Sequence, residues 1–239
     1  MTFSLRFLLI AVAGVALLGG RVEAMETRIR GVIEMFTSQA CALCPPADRL
    51  MRELARDDSL VSLSYPVDYW DYTGWKDTLA LPACGARQKA YAAARGDAHI
   101  YTPQAVVNGL RHVPGADRAA IESTFSATGP SSLGVGVRAT LSASPAGLAV
   151  GVEGPPETGP ARVLLIGVIR ESTVVIGRGE NRGAKITYAN VVRSVVDLGE
   201  FRGGSQSYSA PRGEGDFHIA LVQQGDAARP GAVLAAARR

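Results

Sequence analysis

The sequence has little of what several classes of protein require. Its 239 residues include three cysteines and three histidines. That is too few cysteines for a disulfide-stapled scaffold, and one is left over if two pair. The formal net charge is only +3 and no run of Lys or Arg occurs, so nothing in the charge pattern favours nucleic-acid binding. No Gly-rich phosphate loop, Ser-His-Asp order or paired-carboxylate spacing stands out.

Long apolar runs are also scarce, and the one that occurs lies at the N-terminus. Arg6 precedes 12 apolar residues, 7–18, and small residues stand at 22 and 24, where a signal peptidase would act. A bilayer-spanning helix needs ~20 residues, which this run does not reach. We therefore predict a signal peptide at 1–24, cleavage after Ala24, and a periplasmic or secreted protein with no stable membrane span. An uncleaved anchor is the alternative.

Export determines how the cysteines are interpreted, because thiols in an oxidising compartment form disulfides or carry redox chemistry. Cys41 and Cys44 are separated by two residues, after an apolar strand-like run and before a helix that begins with two prolines. The positive end of a helix dipole lowers the pKa of a cysteine thiol placed there. We predict Cys41 as the attacking thiol and Cys44 as the resolving one. A structural disulfide and a metal clip are the alternatives.

The pattern around these cysteines alternates between strands and helices. Short β-branched runs predict strands at 31–36, 60–67 and 104–108. Helices are predicted from Pro45, over 86–95, and after Asp117, a good N-cap. Alternation of this kind is typical of an α/β fold.

The chain changes character at residues 129–132, a Gly-Pro-Ser-Ser segment. Beyond it, alternating runs punctuated by Gly and Pro predict strands at 133–141, 147–152, 162–171 and 218–223. We predict a domain boundary there, with an α/β domain at 25–129 and an all-β, sandwich-like domain at 130–239.

A second feature is Pro103, which precedes a predicted strand. An X–Pro bond adopts the cis form at small cost. A strand, a Cys-X-X-Cys helix and a later Thr-Pro before a strand together resemble the thioredoxin fold. The resemblance implies that Pro103 is cis and faces the cysteines, and that Thr102 binds substrate through its backbone. A trans proline that only starts an edge strand is the alternative.

A third feature is the segment 65–77, in which five of 13 residues are aromatic, including both tryptophans of the chain. Trp70 and Trp75 could form a binding platform beside the cysteines, or simply pack an irregular insertion together. Asp68 and Asp71 are candidate bases for proton transfer to a buried thiol.

The remaining candidates are weaker. Cys84 could be a free buried thiol, a redox partner of Cys44, or a link between molecules. His99 and His112 do not stand at a paired ligand spacing, so we predict no metal site and no cofactor. The basic segment 178–193 is either an anion site or a solvated hairpin.

Together the motifs resemble a narrower group, a family of exported bacterial thioredoxin-like proteins of unknown function. The resemblance implies the fold and the export but gives no substrate. Ala40 and Pro66 depart from it, since the family has glycine and histidine there, and Cys84 lies outside its pattern. The matching motifs are Phe-Thr-Ser-Gln at 36–39, Cys-X-X-Cys-Pro-Pro-Ala-Asp at 41–48, Val-Asp-Tyr-Trp-Asp-Tyr at 67–72, Gly-Trp-Lys-Asp at 74–77, 86–91, Tyr-Thr-Pro-Gln at 101–104, 178–183 and 188–193.

Two hypotheses about function follow. The first is a thiol–disulfide oxidoreductase that acts on a protein or small thiol substrate, with a redox partner in the cell envelope. The second is a non-catalytic envelope binding module with a structural disulfide between Cys41 and Cys44. A metal carrier that uses the reduced cysteines is a third, weaker option.

Overall fold

The computed structural model describes residues 29–128, 133 and 136–239. The predicted signal peptide, with its cleavage point after Ala24, lies outside the described residues, and so does the predicted boundary segment 129–132.

Within the described residues the chain forms a mixed α/β structure with one large sheet and a second, antiparallel sheet. The mixed α/β composition predicted from sequence is thereby confirmed. None of the helices among residues 29–128 and 136–239 has the length and apolarity that crossing a bilayer requires. The helices are α1 (Pro45–Leu54), α2 (Pro82–Arg95) and α3 (Arg118–Thr128), and the strands are β1 (Gly31–Thr37), β2 (Leu60–Pro66), β3 (Gln104–Val107), β4 (Arg111–Pro114), β5 (Arg138–Ser144), β6 (Gly147–Gly154), β7 (Ala161–Val175), β8 (Lys185–Phe201), β9 (Gly204–Ala210), β10 (Phe217–Gly225) and β11 (Pro230–Arg238).

Local signals explain where the helices begin and end. Prolines occupy the first turn of α1 and of α2, where a missing N–H costs nothing. For α2 this places the start at Pro82, four residues before the predicted one. The helix ends at Gly96, whose φ of +73° is the left-handed conformation that glycine adopts without strain.

The large sheet has the order β11-β10-β7-β8-β2-β1-β3-β4, so it contains strands from both sides of residue 129. The parallel pairs are β1 with β2 and β2 with β8; the rest are antiparallel. The three-stranded sheet has the order β5-β6-β9. The division into domains at 25–129 and 130–239 stays a prediction.

The two halves of the chain meet where β8 lies beside β2. Ser64 Oγ donates a hydrogen bond to the Ala189 carbonyl at 2.7 Å. Asn190, whose φ is +50°, donates from its side chain to the Ser62 carbonyl at 2.9 Å. Buried polar side chains therefore supplement a short ladder in which Ser64 pairs with Val191.

Three apolar clusters fill the space between the layers. The central one joins both halves: it contains Phe36 and Leu63 from β1 and β2, Tyr91 from α2, and Ile166 and Leu221 from β7 and β10. The opposite face of β1 and β3 is covered by α1 and α3, and the β5-β6-β9 sheet covers the other face of β7, β10 and β11. Successive residues of one strand point to opposite faces, so β7 contributes to two clusters.

A buried ion pair crosses the central cluster. The Glu34 carboxylate on β1 is fully buried, and Arg87 on α2 contacts it at 2.5 and 3.0 Å. Arg87 also donates to Gln223 Oε1 at 2.9 Å, and Tyr91 Oη donates to Glu34. Because Gln223 belongs to β10, this network fixes α2 against strands of both halves.

Replacing Arg87, the cation of this buried pair, should lower the free energy of unfolding far more than breaking an exposed ion pair does. Arg87→Met leaves the Glu34 carboxylate buried without its partner, which costs about 3–5 kcal/mol in comparable cases. Arg238→Ala removes the exposed pair with Asp58 and should cost less than about 1 kcal/mol. Urea unfolding of both variants measures the difference, and equal losses would contradict this account of the core.

Candidate functional site

Cys41 and Cys44 form a disulfide at the N-terminus of α1, with their Cα atoms 5.4 Å apart. Cys44 immediately precedes the helix, so its sulfur lies at the positive end of the helix dipole. Because Pro45 and Pro46 have no N–H, Ala47 is the first residue of α1 that has one. Cys44 is fully buried and Cys41 is 3% exposed. Leu43, between them, is 73% exposed and gives the site its apolar surface.

The segment before β3 lies against this disulfide. Strand β3 runs antiparallel to β1, with Gln104 opposite Phe36, so the start of β3 is beside the end of β1. The Thr102–Pro103 peptide bond is cis, and the Thr102 carbonyl oxygen lies 3.7 Å from Cys41 Sγ. The structure thus brings together Cys41, Thr102 and Pro103, three residues singled out from the sequence.

A buried carboxyl group, that of Asp48, lies one helical turn after Cys44 on the same face of α1. Thr37 Oγ1 donates to Asp48 Oδ1 at 2.7 Å. Asp48 Oδ2 has no hydrogen-bond partner among the described residues. Burial raises the pKa of Asp48 to about 7; the Thr37 hydrogen bond opposes this, and the nearby charge of Asp77 adds to it.

Asp77 organises the loop that leads to Cys41. Its Oδ2 accepts the N–H of Gln39 at 2.7 Å, and its Oδ1 accepts the N–H groups of Leu79 and Ala80 at 2.8 and 3.1 Å. Burial nevertheless raises the pKa of Asp77 above its usual value. The pKa of Tyr188 on β8 is raised well above its usual range by burial, with the charges of Asp48 and Asp77 adding to the effect.

Both tryptophans of the aromatic segment hold the site loops through their indole N–H groups. Trp75 donates to Gln39 Oε1 at 2.8 Å, next to the disulfide loop. Trp70 donates to Thr102 Oγ1 at 2.7 Å and stacks on Tyr72, which is 81% exposed. Packing therefore explains Trp75, while Trp70 and Tyr72 leave an aromatic surface beside Thr102.

The tip of the β7–β8 hairpin, residues 176–184, reaches the disulfide loop from the second half of the chain. Asn181 Nδ2 donates to the Gln39 carbonyl at 2.9 Å and to the Cys41 carbonyl at 2.8 Å. Gly177 faces the Trp75 ring so closely that a Cβ would lie 2.9 Å from Cζ3. The basic segment 178–193 thus contains most of this tip and the first half of β8, and Asn181 contacts the disulfide loop.

Other predicted residues lie away from the disulfide or face the core. Asp68 is exposed, and Asp71 Oδ1 accepts the backbone N–H of Asp77 at 3.0 Å. No hydrogen bond among the described residues joins either carboxylate to a cysteine. Cys84, on the first turn of α2, is a free thiol in the central cluster, and burial raises its pKa to about 12.

Sequence reasoning missed four polar residues of the site: Gln39, Asp48, Asp77 and Asn181. Asp48 had a usable signal, because a carboxylate four residues after Cys44 shares its helix face. Asp77 and Asn181 act across the fold, over 38 and 142 residues from Gln39, and no local spacing reveals such contacts.

Fold and site define a mixed α/β protein with a Cys-X-X-Cys disulfide at a helix N-terminus. The chain belongs to the DUF1223 family of proteins of unknown function, whose model matches residues 32–232. It is similar to protein AGR_C_4864 from Agrobacterium tumefaciens: 32% identity, TM-score 0.77, covering 88% of this chain and 94% of that one. HBP35 of Porphyromonas gingivalis shares the fold at 14% identity, with TM-score 0.58 over 90% of this chain and 76% of that one. No curated protein matches.

The raised pKa of Asp48 has a consequence for stability. Below pH 3.8, the usual pKa of the group, the Asp48 carboxyl is protonated in both the folded and the unfolded chain. Between pH 3.8 and about pH 7 it is ionised in the unfolded chain but still protonated in the folded one, so the free energy of unfolding falls as the pH rises. Above about pH 7 the buried carboxylate is ionised in both states, and it lowers the free energy of unfolding by up to about 4 kcal/mol. The free energy of unfolding of Asp48→Asn, measured relative to wild type, should therefore increase from pH 4 to pH 8.

The free energy of unfolding in urea, measured at pH 4 and pH 8 for both proteins, tests this. Asp68→Asn, which alters an exposed carboxylate, is the matched control and should show no such trend. A difference between Asp48→Asn and wild type that is the same at both pH values would show that the carboxyl is not held protonated.

Proposed function

We propose that the protein is an exported thiol–disulfide oxidoreductase that acts through Cys41 and Cys44 on a protein or small thiol substrate. The observation that carries the proposal is the Cys41–Cys44 disulfide at the start of α1, with the Thr102 carbonyl 3.7 Å from Cys41 Sγ. In the disulfide Cys41 Sγ has no proton to donate, so the Thr102 carbonyl can accept a hydrogen bond from this sulfur only when Cys41 is a thiol.

We further propose that the α/β part of the chain is a thioredoxin-like unit. The order of its elements supports this: β1, the cysteine pair, α1, β2, α2, and then cis Pro103 ahead of β3. The cysteine pair follows the end of β1 and Pro103 precedes the start of β3, which is antiparallel to β1. Both therefore lie at the same end of the central strands β2, β1 and β3.

The proposed reaction is thiol–disulfide exchange. A substrate thiolate attacks Cys41 Sγ, a new S–S bond forms as the Cys41–Cys44 bond breaks, and Cys44 leaves as a thiolate. A second substrate thiolate then attacks the substrate sulfur of the mixed disulfide and releases Cys41. Two electrons pass from the two substrate thiols, which become a disulfide, to the protein, which becomes a dithiol. Run in reverse, Cys41 attacks a substrate disulfide and Cys44 resolves the intermediate.

Asp48 is the residue that would move the proton in this scheme. Cys44 is fully buried, and its thiolate is costly to form in an apolar surrounding. A carboxyl group with a pKa of about 7, one helical turn away, supplies a proton to the leaving sulfur at neutral pH and takes it back in the reverse direction. The proton-transfer role predicted for Asp68 and Asp71 stays an alternative to this one.

The surroundings of Cys41 suggest the form of the substrate. Little of Cys41 is exposed, so a bulky folded surface cannot approach its sulfur directly. An extended segment or a small thiol could lie along Thr102, held by backbone hydrogen bonds, with apolar contact from Leu43 and the Trp70–Tyr72 pair. Backbone pairing of this kind accepts many sequences.

One observation favours the second hypothesis, a binding module with a structural disulfide. The Asn181 side chain donates hydrogen bonds to the carbonyls of Gln39 and Cys41, so the loop that carries Cys41 is fixed to the β7–β8 hairpin. In that case the disulfide stabilises the loop, and the stacked pair of half-buried Trp70 and exposed Tyr72 meets the ligand.

Trapping of the mixed disulfide separates the two hypotheses. In Cys44→Ser the resolving thiol is absent, so Cys41 should accumulate a mixed disulfide with oxidised glutathione, detected by intact mass after alkylation. Cys41→Ser is the matched control: the remaining Cys44 is fully buried and should react far more slowly.

Circular dichroism should show that both variants keep the fold, and Cys84→Ser should change neither result, because that thiol lies in the core. If Cys44→Ser gives no adduct, or if Cys44→Ser and Cys41→Ser react equally, the catalytic hypothesis is wrong.

A further inference from the structure

Outside the disulfide site, Asp97, His99 and His112 converge on one point. One ligand atom from each, the imidazole nitrogens and a carboxylate oxygen, lies within 4.8 Å of the other two. Asp97 and His112 are half-buried, whereas His99 is exposed, so the cluster is open to solvent.

The topology explains why residues without a ligand spacing in the sequence meet here. Gly96 ends α2, and the chain then turns back toward β3, which places Asp97 and His99 in the connecting loop. The Asn108–Gly109 turn reverses the chain again, so that β4 pairs with β3 and His112 lies opposite Val106. From the sequence alone no metal site is predicted at His99 and His112, because they do not stand at a paired ligand spacing.

We propose that Asp97, His99 and His112 form a binding site for a divalent transition-metal ion of the Zn²⁺ type. Two neutral imidazoles and one carboxylate are a common ligand set for Zn²⁺, with a fourth position open to water or a further ligand. In a tetrahedral site with bonds of about 2.0–2.1 Å, neighbouring ligand atoms lie about 3.4 Å apart. His112 Nε2 and Asp97 Oδ2 already lie 3.2 Å apart, and the exposed His99 side chain needs only a small rotation to close the set.

The residues around the cluster are those that orient metal ligands. Tyr101 Oη lies 2.9 Å from His112 Nδ1, so the phenol oxygen can accept the Nδ1 proton and leave Nε2 as the metal-binding nitrogen. Arg95 holds the Asp97 carboxylate at 2.7 and 3.2 Å. The guanidinium fixes the carboxylate in place, and its positive charge should keep the affinity for a cation moderate.

This inference does not depend on the proposed redox function. The cluster uses no cysteine, although Tyr101 directly precedes Thr102 in the segment that contacts Cys41. A metal carrier that used reduced Cys41 and Cys44 would bind its ion elsewhere and only after reduction of the disulfide.

Calorimetric titration of Zn²⁺ into the untagged protein, oxidised so that the Cys41–Cys44 disulfide is intact, tests the site. We expect one ion per chain. His99→Ala and His112→Gln should each weaken binding at least about tenfold, and Tyr101→Phe, which removes only the orienting phenol oxygen, should weaken it by about 10–100-fold.

His218→Gln, which alters the third histidine of the chain, is the matched control and should bind Zn²⁺ as wild type does. His99 is exposed in a loop, so its substitution is not expected to affect folding, and circular dichroism would confirm this. Absence of Zn²⁺ binding to the oxidised protein, or binding that persists in the His99→Ala/His112→Ala double variant, would overturn the proposal.

Discussion

The contact between β2 and β8 is the constraint on which the rest of the structure depends. Left unpaired, the outer edge of β2 would present free backbone groups beside a buried face. Strand β8 covers that edge, and the side chains of Ser64 and Asn190 supply hydrogen bonds where the parallel ladder is short. Once β8 is held there, its hairpin partner β7 extends the sheet toward β10 and β11, and the hairpin tip lies over the disulfide loop.

The electrostatics of the site follow from the same arrangement. Strand β8 brings Tyr188 toward α1, and burial of this region raises the pKa of the carboxyl groups of Asp48 and Asp77. Asp48, a buried carboxyl group with a pKa of about 7, lies one helical turn from the buried Cys44 and destabilises the fold at high pH. The same arrangement is the one that proton transfer to a leaving thiolate requires. The second half of the chain thus takes part in the chemistry proposed for the first.

The sequence predicted the local parts of this structure well. The β-branched run of β1, the prolines of α1 and the Asn-Gly turn after β3 are local signals. They predicted that Cys41 and Cys44 lie between β1 and α1 and that Pro103 directly precedes β3. The sequence did not predict β4, β9, β11 or most of β8. Strand β8 carries charges and glycine on a half-exposed strand, so its apolar pattern is weak, and only its partners β2 and β7 define it. Asn181 and the Asp97–His99–His112 cluster likewise depend on chain reversals that no local pattern records.

The central claim, that the Cys41–Cys44 disulfide works in thiol–disulfide exchange, is tested most directly by its reduction potential. Equilibration of the purified protein with glutathione buffers, followed by alkylation and mass spectrometry, gives this value. The account predicts a potential between about −120 and −270 mV, the range of catalytic pairs, which would also show whether the protein oxidises or reduces its substrate. A disulfide that stays closed below about −300 mV would be structural and would contradict the account.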